Sequence, residues 1–358
     1  MIKKIIKIIL ITFLTLIVTI IYLSIFGIKT NKFNNQISSN ISKIDKRINL
    51  NISEVNYLLN PYDFTINVKT KNPQILLEGR SLKITDIQTN VSLNALINDE
   101  FLIDDLKITS KENKLNEIIA LVRVFKNTPQ LFVLNTIIDD GFVTANIDLN
   151  FDKKGKIKED YKIEGFVKKV KLNILNQYKL QNLSFNFDIN KNNYSFKQVE
   201  TRFNKIEVTS PLIEIKKKKN SFFINGQVLN NNKKFDIEEL KPIFSNLFNN
   251  IDFQEIEFES KNNFSFSIDK NLKFNNFKVQ STINLNQLSF NEKHLKLKLY
   301  LPSFLEEIRF ENHKIVINYE KNKLDIKGNG SILLEDKIDS LSYQIIKKNN
   351  NFLFDSKI

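Results

Sequence analysis

Cysteine and tryptophan are absent from this chain, and histidine occurs only twice. Without cysteine there is no disulfide framework, no zinc knuckle and no thiol nucleophile. The two imidazoles, His294 and His313, sit among Lys, Glu and Asn near strand starts, so both are expected at the surface. A Ser–His–Asp site needs its histidine placed by a third group, and nothing in the sequence supplies one. Glycine is scarce as well, with eight residues. No Walker-type loop is present, and Gly328-x-Gly330 lacks the third glycine of a dinucleotide fingerprint and reads as a turn. Carboxylates pair at Asp104-Asp105, Asp139-Asp140, Glu238-Glu239 and Glu306-Glu307. Neighbours on a strand point to opposite faces, so these are poor acid–base pairs. Asp139-Asp140-Gly141 reads instead as a hairpin turn. Ser267 and Lys270 have serine–lysine spacing but fall at a strand end before Asn271. The expectation is a chain with no catalytic residue, metal site or cofactor.

What the chain does have begins at its N-terminus. Lys3, Lys4 and Lys7 precede an uncharged run, Ile8–Ile28, that is long enough as a helix to cross a hydrocarbon core of about 30 Å. A cleaved signal peptide is the rival reading. Such peptides have a shorter apolar core and end in a small-x-small site, whereas this run ends Leu23-Ser24-Ile25-Phe26-Gly27-Ile28. An uncleaved anchor is therefore expected over residues 1–28. The basic tip and the ease with which long C-terminal domains translocate place the N-terminus in the cytoplasm. In a Gram-negative bacterium the rest of the chain is then periplasmic and tethered to the inner membrane.

The net charge of +13 raises the possibility of nucleic-acid binding. The basic residues are spread along the chain, however, and richness in Lys, Asn, Ile and Phe is what an AT-rich genome gives any protein. The densest run, Lys216 to Lys219, precedes Asn220-Ser221 and reads as a solvated hairpin turn. No nucleic-acid partner is expected. A surface held near anionic headgroups is a further option. Thirty phenylalanines bring large apolar surface with no polar handle, and many alternate with polar residues.

From about residue 50 the hydrophobic period is mostly two. Val143, Ala145, Ile147 and Leu149 share one face with Phe151, and Thr144, Asn146, Asp148 and Asn150 share the other. Asp152-Lys153-Lys154-Gly155-Lys156 makes a turn. The alternation recurs at Phe222, Ile224, Gly226 and Val228; at Phe264, Phe266 and Ile268; at Leu295, Leu297, Leu299 and Leu301; at Ile315, Ile317 and Tyr319; and at Leu324 and Ile326. Strands joined by such short links make an antiparallel meander. Two stretches keep a helical period instead. Leu115, Ile118, Ile119, Val122 and Phe125 form a stripe within residues 111–126. A second stripe, within residues 236–248, is interrupted by Pro242. Each helix is expected to cap or plug a sheet edge. Residues 29–49, with Ile37, Ile41, Ile44 and Ile48, are expected to continue the anchor as a helical stalk. An N-terminal β region over 50–135 and an antiparallel region over 136–358 come after it, with the last strand still in progress at Phe352-Leu353-Phe354.

A long antiparallel sheet with one apolar face must cover that face, and two short helices are too few. A sandwich, a closed barrel, or a sheet curled around a non-protein apolar guest remain.

Three groups of residues resemble the AsmA-like family of bacterial envelope proteins. They are the N-terminal anchor; Leu76-Leu77-Glu78-Gly79-Arg80-Ser81-Leu82-Lys83-Ile84 with Val91–Leu96 and Phe101–Ile108; and the hairpin-like Ile138–Val143, Phe151–Ile157 and Tyr161–Gly165. The likeness covers residues 1–230 and continues beyond them in style. It implies a mainly β fold, in which a transmembrane helix leads into a long curled antiparallel sheet with a greasy groove and one or two short amphipathic helices. It also implies an inner-membrane protein that moves phospholipid towards the outer membrane or maintains the outer-membrane barrier.

A trough can shield acyl chains because each CH₂ moved out of water is worth about 0.8 kcal/mol. All it needs is an uninterrupted apolar lining. Val143, Ala145, Ile147, Leu149, Phe222, Ile224 and Val228 are the expected lining residues. The competing reading is an envelope assembly factor that binds other proteins, including outer-membrane proteins, by strand addition at sheet edges.

Overall fold

The computed structural model describes residues 2–32, 34–35, 38, 47–77, 79–94, 103–125, 127–154, 156–174, 178–204, 206–231, 234–241, 251–271, 273–291, 297–299, 301–304, 307–335, 337–349 and 351–357. The chain is mainly β, its strand pairing is antiparallel, and the sheet is unclosed. It divides into two compact units. The first comprises residues 1–135, 142–166 and 188–191, and the second residues 136–141, 167–187 and 192–358.

The first unit begins with α1, Ile2–Ile25. This helix is long and apolar enough to cross a membrane, a description that also fits a signal sequence. Its threonines do not interrupt it, because Thr12, Thr15 and Thr19 donate their hydroxyls to the carbonyls four residues back. After it come the strands β1 (Ile28–Thr30), β2 (Ile48–Asn51), β3 (Val55–Asn60), β4 (Thr65–Lys71), β5 (Gln74–Leu77), β6 (Arg80–Ser92), β7 (Ile103–Ser110) and β8 (Asn113–Lys114). The anchor does not run on into the expected helical stalk. Ile28 to Thr30 pair with Tyr57 to Val55 as a strand, and Ile48 to Asn51 pair with Leu77 to Gln74. The departure is at the two ends of the segment, where a strand satisfies its backbone groups on a neighbouring ladder; between them Asn34, Asn35 and Ser38 are helical. Ile37, Ile41 and Ile44 lie outside the described residues.

Helix α2, Leu115–Phe125, occupies the expected stripe and buries Ile119. Helix α3, Pro129–Ile137, was not anticipated. Its signals are local: Pro129 at the first helical position, and the Thr128 hydroxyl accepting the Leu131 amide at 3.3 Å. Strand β9, Ile138–Asn150, begins at once. Asp139-Asp140-Gly141 is therefore the start of a strand rather than a hairpin turn. Gly141 has φ 142°, and a Cβ there would meet Val170 Cγ2 at 2.6 Å and its Cα at 2.9 Å. Close backbone approach explains this glycine.

The second unit is carried by β10 (Lys162–Ile174, from Val167), β11 (Tyr178–Ile189), β12 (Asn193–Phe203), β13 (Ile206–Lys217), β14 (Ser221–Asn230), β15 (Lys234–Phe235), β16 (Asp252–Asp269), β17 (Phe274–Asn291), β18 (Glu307–Glu320), β19 (Lys323–Leu333), β20 (Ile338–Lys348) and β21 (Asn351–Lys357). Helix α4, Ile237–Leu240, is capped by the Asp236 side chain and packs on β16, burying Leu240. Pro242 to Phe248 lie outside the described residues. Of the expected strand Leu295–Leu301, Leu295 lies outside the described residues, and the described part is not a strand. Leu297–Leu299 is a 3₁₀ turn with Leu299 exposed, and Leu301 packs beside Phe304.

Mid-strand residues in the left-handed region recur here: Lys169, Asn182, Gln198, Asn276 and Asn312, with φ of 55, 54, 52, 55 and 52°. At Asn312 the pairing slips between Glu311 and Lys314, so two residues oppose one. Such bulges increase local twist and reverse which face the subsequent residues occupy. In β18, Ile308 and Phe310 thus share a face with His313, Ile315, Ile317 and Tyr319.

Candidate functional site

Rows of residues run across the second unit on one face. Phe222 pairs with Ile268, Ile224 with Phe266, and Gly226 with Phe264. Phe264 pairs with Val279, Phe258 with Leu285, and Ile256 with Leu288. Beyond them Val279 pairs with Tyr319, Ile283 with Ile315, and Leu285 with His313. Ile317 pairs with Ile326, Ile326 with Ile345, and Ile345 with Phe354.

One end of this face is sealed. Ile206, Phe235, Leu240 and Ile256 form a buried cluster backed by Phe253, Phe258 and Leu288. Phe304, Ile308 and Ile332 form another, backed by Phe290, Phe310 and Leu341. The other end is open. Phe266 stacks loosely against Phe274 and Phe277, with centroids 5.4 and 6.3 Å away, and Phe277 meets Tyr319 at 5.8 Å. A cleft of about 450 Å³ opens there between Phe274–Phe277 and Tyr319–Asn322. Phe274 is 65% exposed and Phe277 47%. Between the ends, Ile213, Ile215, Phe264, Phe266, Ile283, Ile315, Ile317 and Ile326 are only half-buried. Among the described residues no second layer covers them.

The lining is not continuous. Asn230 pairs with Ser260 and Val228 with Asn262, which in turn opposes Ser281. Asn262 Nδ2 donates to the Val228 carbonyl and to Ser260 Oγ at 2.9 Å, so the amide is tied within the sheet. Period-two counting did not weigh these polar residues on the apolar side. The band runs through β14, β16 and β17, while β18 and β19 remain apolar at the same level.

The predicted lining residues fall in separate units. Val143, Ala145, Ile147 and Leu149 share one face of β9, where Ile147 pairs with Ile108 and Leu149 with Leu106. Val143 is buried, and the other three are half-buried. Phe222, Ile224 and Val228 share the apolar face of β14, with Ile224 buried and Phe222 6.4 Å from Tyr194.

His313 is not a surface residue. It is 1% exposed, with its ring 5.2 Å from Phe310 and 6.1 Å from Tyr343. Its Nε2 lies 2.8 Å from the Ser331 carbonyl, and Nδ1 has no partner among the described residues. The signal was present in the sequence, two residues before Ile315 on the same strand face. Gly328-x-Gly330 is likewise no turn. Both glycines lie within β19, Gly328 beneath the Tyr343 ring and Gly330 beneath the His313 ring. Burial pushes the Tyr343 hydroxyl's pKa above its ordinary value. His294 lies outside the described residues.

Of the carboxylate pairs, Glu306 lies outside the described residues, and several of the others are tied to backbone or neighbouring strands. Asp105 accepts the Asn90 amide at 2.7 Å and its side-chain nitrogen at 3.1 Å, which pins β6 to β7. Burial, and secondarily Asp105, raise the Asp104 carboxyl, against the pull of Lys158. Asp140 accepts the Gly141 amide, and Glu238 and Glu239 open α4. No group of three His, Asp or Glu side chains suited to a metal occurs among the described residues. No family model, curated protein or solved structure matches the chain.

Proposed function

We propose that this chain is a membrane-anchored, AsmA-like lipid-handling protein of the bacterial envelope. It binds phospholipid acyl chains along an apolar sheet face in the periplasm and supports lipid traffic or barrier integrity at the outer membrane. It does so without a catalytic step. The observation that carries this reading is the half-buried apolar face of the second unit, sealed at one end and open at the other. Apolar surface left in contact with water is unfavourable by about 25 cal/mol per Å², and an acyl chain laid along it recovers that cost. A guest held this way needs no specific polar partner, in keeping with the phenylalanine-rich lining.

The test is native mass spectrometry of the full chain, extracted in detergent and washed to remove loosely held lipid. Phospholipid at reproducible stoichiometry is the expected result. The paired substitutions Ile224→Asp and Phe266→Asp, neighbours on the apolar face, should abolish it. Asn225→Asp and Ser265→Asp, neighbours on the opposite face, should leave it unchanged. Equal lipid retention by both folded variants would show that the face is not the binding surface.

A second reading has its own observation. Strand β21 pairs with β20 along one edge, every residue from Asn351 to Lys357 is exposed, and no described strand pairs with its other edge. An edge of this kind suits strand addition by a partner protein. Protein partners and no lipid after the same extraction would favour it.

A further inference from the structure

The hairpin between β3 and β4 lies beside the last turns of α1. The helix ends with the Phe26 amide donating to Tyr22, and Gly27 adopts the left-handed conformation, φ 65°. A Cβ on Gly27 would collide with the Tyr57 carbonyl, so the chain leaves the helix directly onto β3. Ile28, Lys29 and Thr30 then pair antiparallel with Tyr57, Asn56 and Val55. Beyond Tyr57, β3 therefore runs back alongside the helix. Leu58, Leu59, Pro61 and Tyr62 face Ile20, Ile21 and Ile25 across a cleft of about 450 Å³.

The hairpin tip is both aromatic and polar. Tyr62 is 96% exposed and Phe64 55%, and Phe64 is held at φ 54°. Asn60 Oδ1 accepts the Tyr62 amide at 3.1 Å, and Asn60 Nδ2 donates to Asp63 Oδ2 at 2.7 Å. Ile20 and Ile21 lie seven to eight residues before Ile28, which is about 10–12 Å along a helix axis. If the hydrocarbon extended to Ile28, the tip and the Asp63 carboxylate would be immersed in it, away from the water a carboxylate requires. A hydrocarbon boundary near Ile20 removes that conflict. Lys4–Ile20 still meets the roughly 17-residue minimum for a span, with the basic tip snorkelling at the other side.

We infer that the β3–β4 tip is a second membrane contact, seated in the headgroup layer of the leaflet where α1 emerges. Tyr62 and Phe64 there form an aromatic belt with Tyr22 and Phe26, whose rings are 5.2 Å apart. The contact fixes the depth of α1 and holds the first unit against the membrane. This rests on α1 remaining in the chain as a span.

Because the chain has no cysteine, a single introduced cysteine gives a unique spin label. The full chain is reconstituted in vesicles of phosphatidylcholine and phosphatidylglycerol, with labels at Leu14→Cys, Tyr62→Cys, Phe64→Cys or Lys337→Cys, the last an exposed residue in the link between β19 and β20. Collision with oxygen, which concentrates in lipid, is compared with collision with a water-soluble nickel chelate. The expected oxygen-to-nickel ratio is highest at residue 14, several-fold lower but still raised at 62 and 64, and lowest at 337. Labels at 62 and 64 that match 337, while 14 reads as immersed, would overturn the hairpin contact and leave the span intact. A label at 14 that reads as aqueous would overturn both.

Discussion

Gly328 and Tyr343 face each other across β19 and β20, and the ring lies over the glycine. A Cβ on Gly328 would come within 3.0 Å of Tyr343 Cζ and Oη, with Cε1 at 2.7 Å, and none of these three atoms is backbone. Carbon atoms in ordinary contact sit about 3.5–4.0 Å apart, so the ring must withdraw by about 1 Å or more. Overpacking of this kind costs about 1–3 kcal/mol. Gly328→Ala in the native background should therefore destabilise the second unit by about 2 kcal/mol. That corresponds to a urea midpoint lowered by roughly 0.7–1 M for slopes of about 2–3 kcal/mol per M. In a Tyr343→Ala background the obstructing atoms are gone. There the same substitution should be neutral, or stabilising by up to about 1 kcal/mol, because alanine loses less backbone entropy than glycine in a strand. The double-mutant cycle, read by urea unfolding of the full chain in detergent, should give a coupling of about 2 kcal/mol or more. An equal cost in both backgrounds would refute the idea that Gly328 is there for the ring. Gly330 offers no such rescue, because the His313 Cα, at 2.6 Å, is one of the atoms its Cβ would strike.

Replacing His313 with leucine should cost about 1–3 kcal/mol in the same assay, since it removes the imidazole partner of the half-buried Ser331 carbonyl. A stabilised variant would instead point to the unpartnered Nδ1 as the larger liability. Asp152 provides a pH-dependent case. Backbone hydrogen bonds from Lys156, then Lys154, hold its carboxyl below the usual range, with the lysine charges adding to the effect. A lowered folded pKa stabilises the turn above the unfolded carboxylate value of about 3.9, and that contribution disappears as pH falls through the folded value. Hydrogen-exchange protection of Lys154 and Lys156 should fall in that acid window, and Asp152→Asn should abolish the dependence.

The mainly β architecture was legible because alternation survives in stretches such as Val143–Leu149 and Phe222–Val228, where no bulge intervenes. It failed where one residue enters the left-handed region, since counting by two across Asn312 assigns Ile308 and Ile315 to opposite faces when they share one. The glycines of β19 were misread because local rules connect glycine with turns, whereas here the cause is a ring on a neighbouring strand. His313 was misread through its polar sequence neighbours, although its parity with Ile315 and Ile317 placed it inside. Leu295–Leu301 shows the converse error, a leucine alternation whose centre forms a 3₁₀ turn. The polar band across Asn230, Asn262 and Ser281 joins residues far apart in sequence, and only the strand register brings them into one row.

From β16 to β20 each strand pairs with the one before it and the one after it in sequence. Such a sheet is close to a one-dimensional polymer, in which every hairpin can form from neighbours already made and no distant segment must be found first. A chain emerging vectorially during synthesis can thus extend its ladder in the order in which strands arrive. Loss of order should run the opposite way, starting at β21, which has one neighbour and no burial, and stopping where the Phe304–Ile332 cluster ties several strands together.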